Sequence, residues 1–192
     1  MVTGDVLTFA TVGAVALERL VELRISRRNA RQALARGAVE VGQRQYMVMT
    51  TFHLLFLVAC VAEPVLLRRP FIPALAAGCL GLLLGAQALR WWAIVTLGPR
   101  WNTRVIVIPD AEPVTGGPYR WLRHPNYVSV IVEMIALPLL HGAWLTAILA
   151  SLGNALLLRA RIGAEERALG ARWARAFAGV PRFVPGGPRA GA

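Results

Sequence analysis

The chain has 192 residues, of which 56% are hydrophobic and 16% are charged, and its formal net charge is +11. A typical soluble domain has about 25% charged residues, so this composition excludes an ordinary soluble protein and favours a membrane protein. Every positively charged residue is arginine. A basic excess on an apolar chain favours contact with anionic lipid headgroups over nucleic acid. The length allows one compact unit.

Five apolar segments are separated by charged residues, and they predict an all-α integral membrane fold with about five transmembrane helices. The second and third segments are long enough to cross about 30 Å of hydrocarbon at about 1.5 Å per residue. The last two are shorter, which predicts either a tight hairpin with its turn at His141-Gly142 or helices extended by polar ends. The segments are Val6–Leu23, Met47–Leu67, Phe71–Val95, Tyr127–Leu140 and Ala143–Leu158.

The arginines predict the orientation of these helices. They concentrate at about 24–46, 97–126 and 159–192, whereas the connection between the second and third segments holds Arg68 and Arg69. Because arginine-rich connections remain in the cytosol, we predict an external N-terminus and one cytosolic face built from those three regions. The Gly- and Pro-rich end at 186–192 is expected to be a disordered tail.

Ionisable residues inside the apolar segments are costly and require partners. Glu18 and Glu22 share a helical face, and Arg19 can pair with Glu22, which predicts a structural ion pair near the cytosolic interface. Glu63 lies near the outer boundary, where its side chain is expected to reach water. Arg90 either anchors the third helix at the cytosolic interface or lines a polar cavity.

The polar residues of the remaining apolar segments suggest contacts between helices. Glu133 and Asn154 either hydrogen-bond the fourth and fifth helices together or face a polar pocket that opens toward the cytosol. His53 is predicted to be a satisfied interhelical residue. Cys60 and Cys79 lie in apolar stretches and are predicted to be buried free thiols. No His, Cys or carboxylate recurs at metal-ligand spacing, so no metal site is predicted.

The region at 97–127 contains the densest group of functional side chains. Val105–Ile108 is a short β-prone run, and Gly116-Gly117-Pro118 predicts a turn. The residues at 119–127 combine Tyr, Trp, Arg, His and Pro, and a solvated basic loop would explain the arginines but not the aromatic residues. Farther along, Arg161 and Glu165 share a helical face, for which a surface ion pair is the simplest interpretation.

Three elements occur in order along this part of the chain: Gly-Pro-Tyr at 117–119, Arg-His-Pro-Asn-Tyr at 123–127 and Arg-Ile-Gly-Ala-Glu-Glu at 161–166. As a set they resemble the isoprenylcysteine carboxyl methyltransferase family of integral membrane methyltransferases, and the resemblance covers Ala88–Pro185 directly. The N-terminal stretches ERLVEL, SRRNAR and GAVEVGQRQY are similar to the bacterial branch of that family. Some members of that branch are linked to methylation of polyketide-derived alkylpyrones.

The resemblance implies one membrane methyltransferase domain over 1–192, with three membrane helices at 6–95 and a catalytic region at 97–185. It implies S-adenosylmethionine as the cofactor, held by the cytosolic loop before the fourth helix and by a C-terminal helical tail. Arg161 matches the arginine that handles the acceptor, with Arg104 as a second candidate, and Ser129 stands where the family usually has glycine. The matching cofactor positions are Pro113, Val114, Tyr119, His124, Pro125, Asn126, Tyr127 and Glu165.

The resemblance implies an O-methyltransferase of the bacterial cytoplasmic membrane, and we expect it to act on a lipophilic acid. The acceptor is predicted to present either a prenylcysteine-like carboxylate or the acidic enol of a long-chain pyrone or phenol. A carboxylate with a pKa of about 4 is ionised at neutral pH and needs no general base. Cofactor and lipid are expected to enter separately, from the cytosol and from the bilayer. The alternatives are a phospholipid N-methyltransferase and a non-catalytic membrane protein that binds a lipid or partner.

Overall fold

The computed structural model describes residues 2–184, so the tail predicted at 186–192 lies outside the described part. Within those residues the chain forms five long or medium helices and a two-stranded sheet. Short 3-10 turns occur at Gly98–Arg100 and Gly117–Arg120. The helices are α1 (Val2–Leu34), α2 (Gln43–Leu66), α3 (Pro73–Leu97), α4 (Pro125–Leu139) and α5 (Trp144–Ala176), and the strands are β1 (Val39–Val41) and β2 (Val105–Val107).

Three helices of the described range, α2, α3 and α5, are long and apolar enough to cross a membrane. The apolar part of α1 is interrupted by Glu18, Arg19 and Glu22, and α4 has 15 residues. Length and composition therefore support three of the five predicted crossings. The fifth helix continues past the apolar segment that ends at Leu158, as the alternative of helices extended by polar ends predicted, because its Arg-, Ala- and Glu-rich continuation favours helix up to Ala176. The helix is kinked at Gly170, which has a φ of 73°.

The hairpin of α4 and α5 supplies much of the protein core. Met134 and Leu137 of α4 are at most 1% exposed and pack with Cys79 of α3. The turn predicted at His141-Gly142 is confirmed, and Gly142 adopts a φ of 64° that favours glycine. The free thiols of Cys60 and Cys79 are buried, as predicted.

One end of the helical bundle brings the three arginine-rich regions together. β1 pairs antiparallel with β2, with Val39 opposite Val107. The Asn29 Nδ2 of α1 donates to the carbonyl oxygens of Gly98 at 3.1 Å and Trp101 at 2.9 Å. The β-prone run at 105–108 was predicted, but its partner strand was not, because β1 has only three residues in the described chain and no distinctive pattern.

The opposite end corrects the prediction for Glu63. This side chain does not reach out to water: the residue is 9% exposed and accepts hydrogen bonds from the backbone N–H of Thr146 at 2.6 Å and from Arg69 Nη2 at 2.8 Å. The first turn of a helix leaves backbone N–H groups without intrahelical acceptors. Glu63 therefore joins α2 to the beginning of α5.

Candidate active site

One cavity, of about 790 Å³, lies at the arginine-rich end and continues along α1 and α2. Its volume is within the range of small-molecule and cofactor sites. The structure brings together around it every residue that was selected from the sequence as a site residue. These are Arg104, Pro113, Val114, Tyr119, His124, Pro125, Asn126, Tyr127, Arg161 and Glu165.

Arg161 of α5 is held in place by two of its three nitrogen atoms. Its Nη2 donates to the carbonyl oxygen of Thr103 at 2.8 Å, and its Nε donates to the hydroxyl of Tyr127 at 3.3 Å. Its Nη1 is buried and has no hydrogen-bond partner among residues 2–184. Because Arg161 is 4% exposed, the interpretation as a surface ion pair is wrong. One N–H-bearing nitrogen thus remains available to a bound molecule.

Tyr127 connects Arg161 to Glu165. The Tyr127 hydroxyl accepts from Arg161 and donates to Glu165 Oε2 at 2.5 Å. This pair of bonds fixes the direction of the hydroxyl hydrogen, because a phenol has one donor. The cation of Arg161 and the carboxylate of Glu165 are therefore held on either side of one hydroxyl, and both side chains line the cavity.

His124 is positioned by Glu166 and by aromatic rings. Its Nε2 lies 3.1 Å from Glu166 Oε1, and its ring stacks on Tyr127 with centroids 5.2 Å apart. Glu166 also accepts two hydrogen bonds from Arg182, at 3.0 and 2.5 Å, which raise the pKa of that guanidinium. The second glutamate of the Glu165-Glu166 pair therefore ties the C-terminal segment to the site, whereas the first one faces the cavity.

The Gly-Pro-Tyr element forms a tight turn that delivers Tyr119 to the cavity. Gly117 has a φ of 55°, and a Cβ at this position would collide with the side chain of Thr96. Tyr119 packs with Phe177 and Val180 from the end of the chain. Burial raises the pKa of the Tyr119 phenol far above neutral pH, so the ring stays uncharged. Glycine is required here by both its backbone angle and its contacts.

Asn126 and Arg104, two more of the predicted residues, differ in burial and in hydrogen bonding. The Oδ1 of Asn126 is buried without a hydrogen-bond partner in the described chain. Arg104 pairs with Glu40 Oε2 at 3.2 Å and lies over the ring of Tyr46 at 5.1 Å. Its side chain is 35% exposed. Arg104 is thus fixed by the β1 region at a partly open edge of the cavity.

A second group of charged side chains lies at the cavity, and sequence reasoning identified its members but missed their pairing across helices. Arg90 is 1% exposed and its Nη2 donates to Glu133 Oε2 at 2.5 Å. Its interpretation as an interface anchor is wrong, and the alternative of a polar cavity is confirmed. Glu133 pairs with Arg90 rather than with Asn154, so the predicted hydrogen bond between α4 and α5 is also wrong. The opposite charges of Arg90 and Glu133 inside apolar helices were the signal that could have identified the pair.

The predicted ion pair of Arg19 and Glu22 is confirmed at 2.7 Å. Arg19 also lies 3.6 Å from Glu133, which extends the pair into a network across helices. The prediction that His53 is satisfied is confirmed, since its Nδ1 lies 2.8 Å from the carbonyl oxygen of Met49, although this partner belongs to the same helix. Residues 2–184 contain no group of three His, Cys, Asp or Glu side chains placed to hold a metal ion.

Comparison with known proteins gives three matches. Residues 79–171 match the family described as the isoprenylcysteine carboxyl methyltransferase (ICMT) family. Uncharacterized protein YpbQ of Bacillus subtilis (strain 168) is 39% identical over 158 residues, which cover 82% of this chain and 94% of the relative. An uncharacterized protein of Haemophilus influenzae is 29% identical over 164 residues, covering 85% and 93%. The matched range at 79–171 contains all ten predicted site residues.

Proposed function

The chain belongs to the isoprenylcysteine carboxyl methyltransferase family, and on that premise we propose that it is an S-adenosylmethionine-dependent O-methyltransferase of the membrane. Its acceptor is a lipophilic molecule with an acidic oxygen, either a prenylcysteine-like carboxylate or the enol of a long-chain polyketide such as an alkylpyrone. The observation that carries this proposal is the buried, unpartnered Nη1 of Arg161 within residues 2–184. A guanidinium fixed in this way can bind an anionic oxygen with a charge-assisted hydrogen bond.

The polar and aromatic groups of the cavity fit S-adenosylmethionine. The Glu165 carboxylate can accept from an α-amino group or ribose hydroxyls, and the buried Asn126 Oδ1 needs a donor that the described chain does not supply. The rings of Tyr119, His124 and Tyr127 offer surfaces on which an adenine can stack. These complementary groups support a cofactor site built from loops and helix ends.

The chemistry of the acceptor explains why Arg161 is needed. When bound, S-adenosylmethionine supplies an electrophilic methyl group attached to a sulfonium sulfur. Arg161 holds the acceptor oxygen, and Tyr127 holds Arg161, so the oxygen is oriented before the reaction. Because a carboxylate or acidic enol is already ionised at neutral pH, no side chain has to remove a proton. An ammonium acceptor would instead meet the positive charge of Arg161, which disfavours phospholipid N-methylation.

The two ends of the cavity suggest separate routes of entry. Leu20 of α1 and Leu54 of α2 line the cavity, and they are 56% and 63% exposed on faces that a bilayer would cover. At the other end, Arg100, Glu112 and Arg172 line it with charged side chains. We therefore propose lateral entry of the lipid between α1 and α2, and entry of the cofactor from an arginine-rich face in the cytosol of a bacterial cell.

The proposal is tested by label transfer from methyl-tritiated S-adenosylmethionine in membranes that contain the chain. N-Acetyl-S-farnesylcysteine and a long-chain 4-hydroxy-2-pyrone serve as the two acceptor probes. For Arg161→Ala we expect transfer to fall about 100-fold, because a hydrogen bond to a charged group contributes about 1.5–3 kcal/mol. Cofactor binding should persist. The matched control is Arg159→Ala, which removes an exposed arginine from the same helix outside this cavity.

The outcomes separate the possible functions. If Arg161→Ala transfers label at the wild-type rate, its role in holding the acceptor is wrong. If the wild-type protein does not bind S-adenosylmethionine, the chain is a non-catalytic membrane protein. Label that mild alkali releases as methanol identifies a carboxyl methyl ester, whereas alkali-stable label on the pyrone identifies an enol ether.

A further inference from the structure

A network of four charged side chains lies at the cavity away from the Arg161 group, and three of them, Arg19, Glu22 and Arg90, line it. We call Arg19, Glu22, Arg90 and Glu133 the ion cluster; they come from α1, α3 and α4. Arg90 lies 2.5 Å from Glu133 and 3.7 Å from Glu22, and Arg19 lies 2.7 Å from Glu22. The side chains of Glu22, Arg90 and Glu133 are no more than 4% exposed. Burial of so much charge requires nearly complete pairing to be stable.

Helix geometry sets the depth of the ion cluster. On α4, Glu133 follows Tyr127 by six residues, which corresponds to about 9 Å of helix rise. On α1, Arg19 precedes Ser26 by seven residues or about 10.5 Å, and Ser26 contacts Thr103, the residue that binds Arg161. Two helices therefore place the ion cluster about 9–10 Å farther into the bundle than the Arg161 group.

Several polar atoms of the ion cluster lack hydrogen bonds. The Nε of Arg19, the Nε of Arg90 and the Oε1 of Glu22 are buried and have no hydrogen-bond partner in the described part of the chain. All three residues line the cavity. A buried polar atom left unsatisfied costs about 1–3 kcal/mol. The atoms therefore mark a position where a molecule in the cavity gains by supplying both a donor and an acceptor.

The charges of the ion cluster decide which chemical group fits. Two arginines and two glutamates balance, and the neighbouring Glu18 adds a negative charge that is itself bound by Trp91 Nε1 at 2.6 Å. A second anion is therefore not attracted to this position. A hydrocarbon would leave all three atoms unsatisfied. A neutral hydroxyl donates one hydrogen bond and accepts others, so it satisfies Glu22 and an arginine Nε together.

We propose that the ion cluster is a second recognition site for the acceptor, specific for a neutral hydroxyl about 9–10 Å from the oxygen that is methylated. The inference rests on the proposed function, which assigns the acid to Arg161. The acceptor is therefore an amphiphile with an acidic head and a hydroxyl partway along its apolar part. The cavity is also lined by apolar side chains such as Met49, Leu57 and Val130, and Val130 lies between Tyr127 and Glu133 on α4, which suits an intervening hydrocarbon.

The test is competitive binding of hydroxylated acids. The protein is reconstituted in nanodiscs and mixed with hexadecanoic acid and an equal amount of one monohydroxyhexadecanoic acid. Native mass spectrometry then gives the ratio of bound hydroxylated acid to bound hexadecanoic acid. We expect this ratio to be about ten for isomers with the hydroxyl near the middle of the chain, because a hydrogen bond to a charged group strengthens binding by about that factor or more. Isomers with the hydroxyl near either end should give a ratio near one.

A double variant tests whether the ion cluster causes the preference. In Arg19→Met with Glu22→Met both partners of the 2.7 Å pair are replaced, which leaves Arg90 paired with Glu133 and removes the carboxylate that is proposed to accept from the hydroxyl. We expect its ratio to return to about one for every isomer. Arg159→Met is the control, because Arg159 is exposed and does not line this cavity. Binding of S-adenosylmethionine verifies that each variant is folded.

Each outcome decides the inference. If hexadecanoic acid binds but no hydroxyl position improves binding, buried water completes the ion cluster, the inference is wrong and the proposed function stands. A mid-chain preference that survives in the double variant also contradicts it. If no acid binds while S-adenosylmethionine does, the acid-binding role of Arg161 and the hydroxyl site fail together. Should the double variant not fold, the wild-type profile across the isomers still decides.

Discussion

Two groups of buried charges in this protein differ in how completely their hydrogen bonds are made. At one end of the bundle, Glu63 uses both oxygens: Oε1 accepts from Arg69 and from the N–H of Leu145, and Oε2 accepts from the N–H and the hydroxyl of Thr146. Around the cavity, Arg161, Asn126 and the ion cluster retain buried atoms without partners among residues 2–184.

Charges whose hydrogen bonds are complete have a structural role, whereas charges with unpaired atoms are available to bind a ligand. A fully paired carboxylate such as Glu63 stabilises the junction of two helices and has no capacity left to bind anything else. Unsatisfied groups that line one cavity cost free energy in the empty protein, and a bound molecule recovers that cost. Changes at the first group should therefore affect stability, and changes at the second should affect binding and transfer.

The largest effect is expected for the fully paired group. Glu63→Ala should lower the free energy of unfolding by about 3 kcal/mol, because it leaves Arg69 and the first N–H groups of α5 without an acceptor. Thermal unfolding in detergent measures the loss. Transfer per folded molecule should not change. Glu63→Gln, which keeps one carbonyl acceptor, should lose less. If Glu63→Ala lowered methyl transfer per folded molecule and left the free energy of unfolding unchanged, the distinction between structural and ligand-binding charges would be wrong.

A smaller effect, on cofactor binding, is expected at Glu165. Replacing its carboxylate in Glu165→Gln removes the charge but keeps an acceptor for the Tyr127 hydroxyl. We expect the affinity for S-adenosylmethionine to fall about tenfold to 100-fold, as for hydrogen bonds that involve a charged group. Isothermal titration calorimetry measures this. Glu166→Gln is the adjacent control and should weaken cofactor binding less, since Glu166 acts through His124. Equal losses would mean that Glu165 has no direct contact with the cofactor.

The smallest effect is expected at the hydroxyl that joins the two charges. Tyr127→Phe keeps the ring that stacks on His124 and removes the bonds to Arg161 and Glu165. Because Tyr127 acts on the acceptor only by orienting Arg161, we expect kcat/KM for the acceptor to fall about fivefold, which corresponds to about 1 kcal/mol. Initial-rate assays over a range of acceptor concentrations measure the change. If stability falls instead and kcat/KM is unchanged, Tyr127 belongs with the structural group.

Much of the arginine-rich end of the cavity could be predicted from sequence because its residues lie in short, ordered motifs. Gly117 is required by its backbone angle, and the spacing of Arg161 and Glu165 places both on one side of α5. The arginine distribution predicted which three regions lie together at one end of the bundle. These features depend on local geometry and on charge counts, which a single sequence contains.

The wall formed by α1, α2 and α3 could not be predicted in the same way. Arg90 and Glu133 are separated by 43 residues, and nothing in the spacing indicates that α3 and α4 bring them together. Glu63 appeared to lie at the membrane boundary, but the partner that buries it is the N-terminal turn of α5. Pairing between charges that are distant in sequence depends on how the helices pack. Hydropathy indicates only which segments of the sequence form the helices.

The central claim is methylation of an acidic oxygen, and the most direct measurement is identification of the labelled product. Membranes with the wild-type chain are supplied with methyl-tritiated S-adenosylmethionine and both acceptor probes, and the extracted lipids are analysed by chromatography and mass spectrometry. We expect an O-methyl product of one of the acidic probes, absent from membranes that contain Arg161→Ala. Label confined to the amine headgroups of phospholipids, or no label above that of membranes without the chain, would contradict the claim.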